Sequence, residues 1–299
     1  MSEFQFSGHE TFPLRQLWLM KAVKEASLSE KKSIEESMID LGVGKNMVAS
    51  IRFWGKASGM VDPKTGKPSI IGHSIFGDEH SVGLDPYGES LNTAWLAHWN
   101  LTKQSSSLTA FWFVFNYINK PSISRAELQE ELSVYANNRN WKVSSSSIKR
   151  DIEVFLRSYV PNLTGRNKQS NEEFVEPLLG DLGLLSATSR DTVSFHRSER
   201  ATLPNALFAY CLLDYWNSTS HHTATLDLTK ILHGIGAPGK VFRLTENSIV
   251  DRLSALEELT NGELLWTEQG GVRTVLRRGE SLNQPLLVMP QLLKIAFQN

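Results

Sequence analysis

One order of elements, used three times, constrains this chain more than any other feature. Each copy has a polar helix, a tight turn, a second helix with a polar outer face, and a short hairpin. In the first copy, about residues 32–75, Ile34, Met38 and Leu41 share one helix face and Gly42-Val43-Gly44 breaks the helix. Glycine admits the left-handed backbone that a tight interhelical turn needs. Met47, Val48, Ile51 and Trp54 then recur at helical spacing from Lys45 onward, and Gly59 ends that helix. Asp62-Pro63-Lys64-Thr65-Gly66-Lys67-Pro68 reads as a hairpin tip, with Ser69-Ile70-Ile71 as the returning strand.

The second copy, about 123–197, opens with Ser124 and Glu127 at capping-box spacing, followed by Leu128 and Leu132 as buried positions. Its second helix starts within 144–147 and carries Ile148, Ile152, Phe155, Leu156 and Tyr159 inward; 161–176 is polar and reads as a loop. Strands are expected at 184–187 and 192–195. The third copy, about 226–279, has Leu228, Ile231 and Leu232 before Gly234-Ile235-Gly236. Thr245 is a cap for a helix bearing Ile249, Leu253 and Leu256, and Gln269-Gly270-Gly271 joins two strands. The expected fold is therefore mainly α with small β-hairpins (α+β): tandem winged helix-turn-helix modules joined by helical packing segments at 91–118 and 203–216. Three domains are expected, at 1–119, 120–200 and 201–299. Trp95, Trp99, Trp112 and Phe115 recur at helical spacing and read as core, not as base-stacking platforms.

In such modules the second helix is the one that enters a DNA groove, so its outward side chains decide what it can touch. With 31 Lys and Arg against 32 Asp and Glu the chain is no polycation, and any nucleic-acid contact must come from local basic patches. The first copy offers the best stripe. Lys45, Ala49, Arg52 and Lys56 fall on one line, Asn46 and Ser50 flank it, the helix has no acidic residue, and Lys64 and Lys67 sit on the hairpin tip. The second copy offers Ser145, Ser146, Lys149, Arg150 and Arg157, diluted by Asp151 and Glu153, with Arg139, Lys142, Arg166 and Lys168 nearby. In the third, Asp251, Glu257 and Glu258 surround Arg252 and would repel phosphate. Its hairpin arginines 273, 277 and 278 are the residues left to reach a backbone, and the module reads mainly as a protein-contact surface.

Few motifs offer chemistry. Gly42-Val43-Gly44-Lys45-Asn46 fails as a phosphate loop, because Ile39 and Asn46 stand where glycine and Ser or Thr are required. The single cysteine, Cys211, lies in an apolar run and reads as core. No apolar stretch is long enough to span a bilayer, and the sequence opens on no signal-like segment; a cytoplasmic setting is expected. His9, Glu10 and Arg15 lie within one unusual segment, Phe6-Ser7-Gly8-His9-Glu10-Thr11-Phe12-Pro13-Leu14-Arg15. They supply a base, a metal ligand and a phosphate clamp, the parts of a phosphodiester hydrolase. The competing reading is a local structural knot, with Ser7 or Thr11 capping the helix that follows Pro13 and His9 hydrogen-bonded to it. Asp78, Glu79 and His80, with His73 and Asp85 close by, are a second candidate set for Mg²⁺ or Mn²⁺, against the alternative of an exposed loop.

The 6–15 segment with Trp18-Leu19, the run from Leu41 to Val48 with Ser50-Ile51-Arg52-Phe53-Trp54, and Asp85-Pro86-Tyr87 with Trp95-Leu96-Ala97-His98-Trp99 resemble a bacterial family long labelled a domain of unknown function. That family is similar to SspB of the Ssp DNA phosphorothioation systems, in which sulfur replaces a non-bridging phosphate oxygen and marks self DNA against phage. The resemblance implies double-stranded DNA as ligand, and sulfur-transfer (PAPS-reductase-like) and ATPase proteins as partners. It also implies a nicking activity that opens one strand for sulfur insertion. Two readings follow: a metal-dependent nickase using His9, Glu10 and Arg15, or a non-catalytic DNA-binding adaptor that recruits the sulfur-transfer partner.

Overall fold

The computed structural model describes residues 4–28, 30, 32–160, 177–279, 282 and 285–298. It forms two compact units, Met1–His196 and Arg197–Asn299. Helices dominate, with two small antiparallel three-stranded sheets, so the α+β expectation holds.

In the first unit, α1 (Trp18–Ser27) packs on α3 (Lys45–Ala57), and α2 (Ile34–Leu41) also lies against α3. The local signals act as read. Gly42 takes φ 64° at the end of α2, and Ser33 closes a capping box with Glu36 at its start. The hairpin expected next is reduced to a single bridge, Val61 to Pro68. The returning strand is instead a helix, α4 (Ile70–Phe76), capped by the Ser69 hydroxyl on the Gly72 N–H. Gly72 explains the close approach: a Cβ there would lie 2.0 Å from the Met60 carbonyl oxygen.

Helices α5 (Leu91–Thr102) and α6 (Thr109–Tyr117) are buried almost all round and form the centre of this unit, with Trp95, Trp99, Phe111 and Phe115 essentially inaccessible. The aromatic spacing therefore marks core. Strand β1 (Ser122–Ser124) leads into α7 (Arg125–Asn138), whose Ser124–Glu127 capping box is present. Helix α8 (Ser145–Tyr159) follows, then β2 (Leu185–Ala187) and β3 (Thr192–Phe195). The sheet order is β1-β3-β2, so β1 is a third strand that the sequence did not announce.

The second unit repeats this plan. It runs through α9 (Asn205–Thr219), β4 (Thr225–Asp227), α10 (Leu228–His233), α11 (Pro238–Val241), α12 (Glu246–Ser254), α13 (Leu256–Leu259), β5 (Leu264–Gln269), β6 (Val272–Arg277) and α14 (Pro285–Gln298). Strand order β4-β6-β5 again adds a three-residue strand before a helix. The Gly270-Gly271 turn, with φ 58° and 79°, joins Gln269 to Val272 as a two-residue hairpin. Helix α9 packs against α14, and its Cys211 is fully buried. Among the described residues no helix is long and apolar enough to cross a membrane.

Candidate nucleic-acid interface

Helix α3 presents Lys45, Asn46, Ala49 and Lys56 to solvent, while Val48, Ser50, Ile51 and Trp54 are buried. Its first residue follows Gly44, which gives no side-chain cap to the opening turn. A helix start without a capping oxygen leaves N–H groups and the positive end of the helix dipole available to an anion. Lys64 and Lys67 are exposed on the 62–68 tip, where Asp62 Oδ1 accepts the Lys64 and Thr65 N–H groups at 2.7 and 2.9 Å. The Lys67 ammonium reaches the Leu28 carbonyl at 2.8 Å. A cleft of about 450 Å³ between the end of α1, α3 and this tip is lined by Lys32, Lys56, Lys64 and Lys67 together with Glu25 and Glu30.

Arg52 does not join that stripe. Its guanidinium turns toward α1 and α2, with Nη2 2.6 Å from Glu25 Oε1, 2.9 Å from Ser37 Oγ and 3.3 Å from the Lys32 carbonyl, and with Nε 3.2 Å from both Glu25 oxygens. Burial raises the Glu25 carboxyl pKa, but hydrogen bonds from Arg52 and Ser37 outweigh it and the net shift is downward. The arginine therefore ties three elements of the first copy together.

Helix α8 corrects the sequence reading in the opposite direction. Asp151 was expected to dilute its outward charge but is wholly buried, and Glu153 pairs with Arg125 at 2.9 Å. What α8 exposes at its start is Ser145, Ser146, Lys149 and Arg150, so the face is more basic than the sequence suggested. Arg139 lies over the Tyr135 ring, 3.8 Å from its centroid, and Lys142 is exposed. Arg166 and Lys168 fall outside the described residues.

His9 is 2 % exposed. The Thr11 N–H donates to its Nδ1 at 3.2 Å, which makes Nε2 the protonated nitrogen, 3.1 Å from Asp151 Oδ1. The ring stacks on Trp54 at 6.2 Å between centroids and meets Phe53 edge-on at 5.9 Å. Asp151 also accepts the Ser7 N–H at 3.2 and 3.0 Å, satisfying a buried carboxylate. A structural knot is present, tied to Asp151 of α8, but neither Ser7 nor Thr11 caps the helix that follows, since α1 starts after Leu17 with no side-chain cap. Glu10 is exposed with φ 45°, and Arg15 lies 5.3 Å from the Trp18 ring at the edge of an 850 Å³ groove that Leu17, Met38, Ile39 and Met47 also line.

The second candidate metal set is equally engaged. Asp78 Oδ1 accepts the His80 and Ser81 N–H groups, and its other oxygen lies 3.2 Å from His73 Nε2. Asp85 accepts the Glu89 and Ser90 N–H groups and the Thr93 hydroxyl, fixing the start of α5. Among the described residues no three His, Cys, Asp or Glu side chains converge as metal ligands.

In the second unit the expected acidic face is present, since Asp251, Glu257 and Glu258 are exposed. Arg252 is buried, donating to the carbonyls of Glu199, Arg200 and Leu203 and to Asn205, and burial lowers its pKa to about 10. Arg277, read as a wing residue, is 1 % exposed and lies 4.8 Å over the Trp216 ring. Strand alternation turns it inward with Val275. Arg273 pairs with Glu246 at 2.6 Å.

A family model described as "Protein of unknown function (DUF4007)" matches residues 6–291. Two solved structures share the fold, a magnesium ion-bound SspB crystal structure with a TM-score of 0.83 and an SspB crystal structure with a TM-score of 0.82. Each is 25% identical in sequence, with 99% of this chain and 89% of the SspB chain covered. No curated protein matches the sequence.

Proposed function

Because the chain belongs to the DUF4007 family and is SspB-like, we propose that it is a DNA-contacting component of a DNA phosphorothioation system, with winged-helix modules in which α3 and α8 meet the duplex. The observation that carries this reading is the exposed start of α3. There Lys45, Asn46 and Ala49 surround an uncapped helix terminus with no carboxylate in the helix. Lys45 and the free N–H groups suit phosphate, Asn46 suits a base edge or a phosphate, and Ala49 lets the backbone approach closely. Lys56, Lys64 and Lys67 extend the positive surface along the cleft, and Lys149 and Arg150 supply the second patch. The acidic α12–α13 face is suited to protein partners, for which the sulfur-transfer and ATPase proteins of such a system are the candidates.

The contact reading is tested by measuring duplex affinity against salt. Each neutralised phosphate contributes about 0.9 to the log–log slope, so Lys45→Ala lowers it by roughly that amount. A slope unchanged in Lys45→Ala and in Lys149→Ala removes both helices from the interface.

A second reading, strand nicking, is favoured by the magnesium ion in one of the SspB structures. On this chain both ring nitrogens of His9 are engaged, which weighs against it as the base, while Glu10 is exposed and Arg15 lines the 850 Å³ groove, so these two stay candidates for the nicking reading. The nicking reading is checked with supercoiled plasmid and Mg²⁺ or Mn²⁺. Metal-dependent open circles support it, and binding without open circles in the presence of the partner proteins leaves the adaptor.

A further inference from the structure

The contacts of the 6–15 motif lie along two helices that are otherwise far apart in sequence. His9 holds α8 through Asp151 and holds α3 through its carbonyl, which accepts the Ser50 hydroxyl at 2.7 Å. Ser7 donates its N–H to Asp151, and the Gly8 backbone presses on the Phe53 ring, where a Cβ would come within 2.6 Å. One turn further on, the Phe12 carbonyl accepts the Trp54 indole N–H at 3.1 Å, and the Thr11 carbonyl accepts a guanidinium N–H of Arg157. Residues 7–9 thus meet Ser50 and Asp151, and residues 11–12 meet Trp54 and Arg157. The core adds to the second of these levels, because Trp54 packs on Phe111 and Phe111 packs on Phe155 and Tyr159. The strap aligns Ser50 with Asp151, and both sets of contacts link Trp54, one turn later on α3, with the 155–159 stretch of α8. The two helices therefore run in the same sense. Their exposed starts, Lys45, Asn46 and Ala49 on one and Ser145, Ser146, Lys149 and Arg150 on the other, lie at the same end of the strap.

We infer that residues 6–12 are a positioning strap that fixes α3 and α8 as one two-helix surface, and that this surface engages a single continuous stretch of duplex backbone. The inference rests on the DNA-contact reading above and adds that the two helices act together. His9 and Asp151 are positioning residues in this account and touch no DNA. Two contacts held in fixed register bind more tightly than either alone, because the second forms at high effective concentration.

The test uses the full chain and duplexes of increasing length. Affinity of the unmodified chain rises by about ten-fold or more once the duplex spans both helices, and Lys45→Ala and Lys149→Ala each lower the salt slope on the long duplex by about 0.9. Asp151→Ala, which removes the acceptor of both the His9 and the Ser7 N–H groups, keeps the short-duplex affinity and loses the gain with length. His9→Gln, which retains a donor toward Asp151, keeps most of it. Should Asp151→Ala fail to fold, Ser50→Ala, which removes one of the two hydrogen bonds from α3 to the strap, is read in its place. Spin labels introduced through Ala49→Cys and Lys149→Cys give a direct readout, because the natural Cys211 is buried. Their distance distribution is narrow in the otherwise unmodified chain and broad with Asp151→Ala. A length-dependent gain that survives loss of the strap contacts, or a distribution that stays narrow, overturns the inference. A slope that falls in Lys45→Ala and not in Lys149→Ala overturns it while leaving the DNA-contact reading standing. Absence of salt-dependent binding in the unmodified chain overturns both.

Discussion

Replacing Arg52 with alanine separates the two roles that this residue has been given. In the sequence it sits on the stripe between Ala49 and Lys56; in the structure its guanidinium is shared among Glu25, Ser37 and the Lys32 carbonyl. The pair is only partly exposed, 28 % for Arg52 and 12 % for Glu25. Truncation removes charge-assisted hydrogen bonds and leaves a half-desolvated carboxylate with only the Ser37 hydroxyl. Hydrogen bonds to charged groups contribute about 1.5–3 kcal/mol, and breaking a fully buried pair costs about 3–5. Residual solvent screening places this pair at the lower end, about 2–3 kcal/mol. For a unit of this size each kcal/mol moves the unfolding midpoint by about 2–4 °C, so Arg52→Ala is expected to melt roughly 5–10 °C lower.

The effect also has a pH signature. The Glu25 carboxyl is held below its ordinary value near 4.5, so its contribution is present above that pH and lost as the pH falls through the depressed folded value. The gap between Arg52→Ala and the unmodified chain should therefore narrow in acid. Thermal or urea unfolding across pH 3–7 measures it, alongside the salt dependence of DNA binding, where the slope should not change. An unfolding midpoint that stays put, together with a slope lower by about one, would refute the reasoning and return Arg52 to the DNA surface.

Other expectations follow from the same geometry. Gly8→Ala must fit a Cβ at φ 96° against the Phe53 ring and is expected to destabilise the first unit by about 2 kcal/mol, measured by urea unfolding. Arg277→Ala should destabilise the second unit by about 3 kcal/mol, since it removes buried bonds to Thr223 and Asn217 and the packing on Trp216; the DNA salt slope should stay the same, and a lowered slope would put Arg277 on the interface after all. His9→Ala should lower the melting temperature through loss of the Asp151 bond, and any metal-dependent nicking should fall only in proportion to the folded fraction. A complete loss of nicking in a fully folded His9→Ala protein would restore a chemical role.

Much of this architecture was legible because caps and glycine turns are local. Ser124 with Glu127, Thr245 and the Gly270-Gly271 turn each act within four residues and appear as read. The three-residue strands β1 and β4 escaped because so short a segment has no visible alternation; each exists only through its pairing with a distant hairpin. Ser69-Ile70-Ile71 reads as a strand because two isoleucines after a turn suggest one, whereas residues 70–76 are helical. Ser69 as a cap and Gly72 at a close backbone approach were the signals for a helix. At the candidate interface the difficulty was the reach of long or charged side chains. Helical spacing places a Cβ on a face, yet it cannot say that Arg52 folds back to Glu25, that Asp151 meets a histidine 142 positions away, or that Arg252 and Arg277 find backbone carbonyls indoors. Lys45, Asn46, Lys56, Lys64, Lys67, Lys149 and Arg150 stayed outside, where the sequence placed them.

The claim that the α3 face meets DNA is tested most directly by placing a photo-crosslinker at Ala49, the small exposed residue between Lys45 and Lys56 on that face. Irradiation with duplex DNA should give a covalent adduct that disappears with added salt, and the same probe at the exposed Glu257 on the acidic α13 face should give none. An adduct at Glu257 with none at Ala49, under conditions where the duplex is bound, would contradict the account.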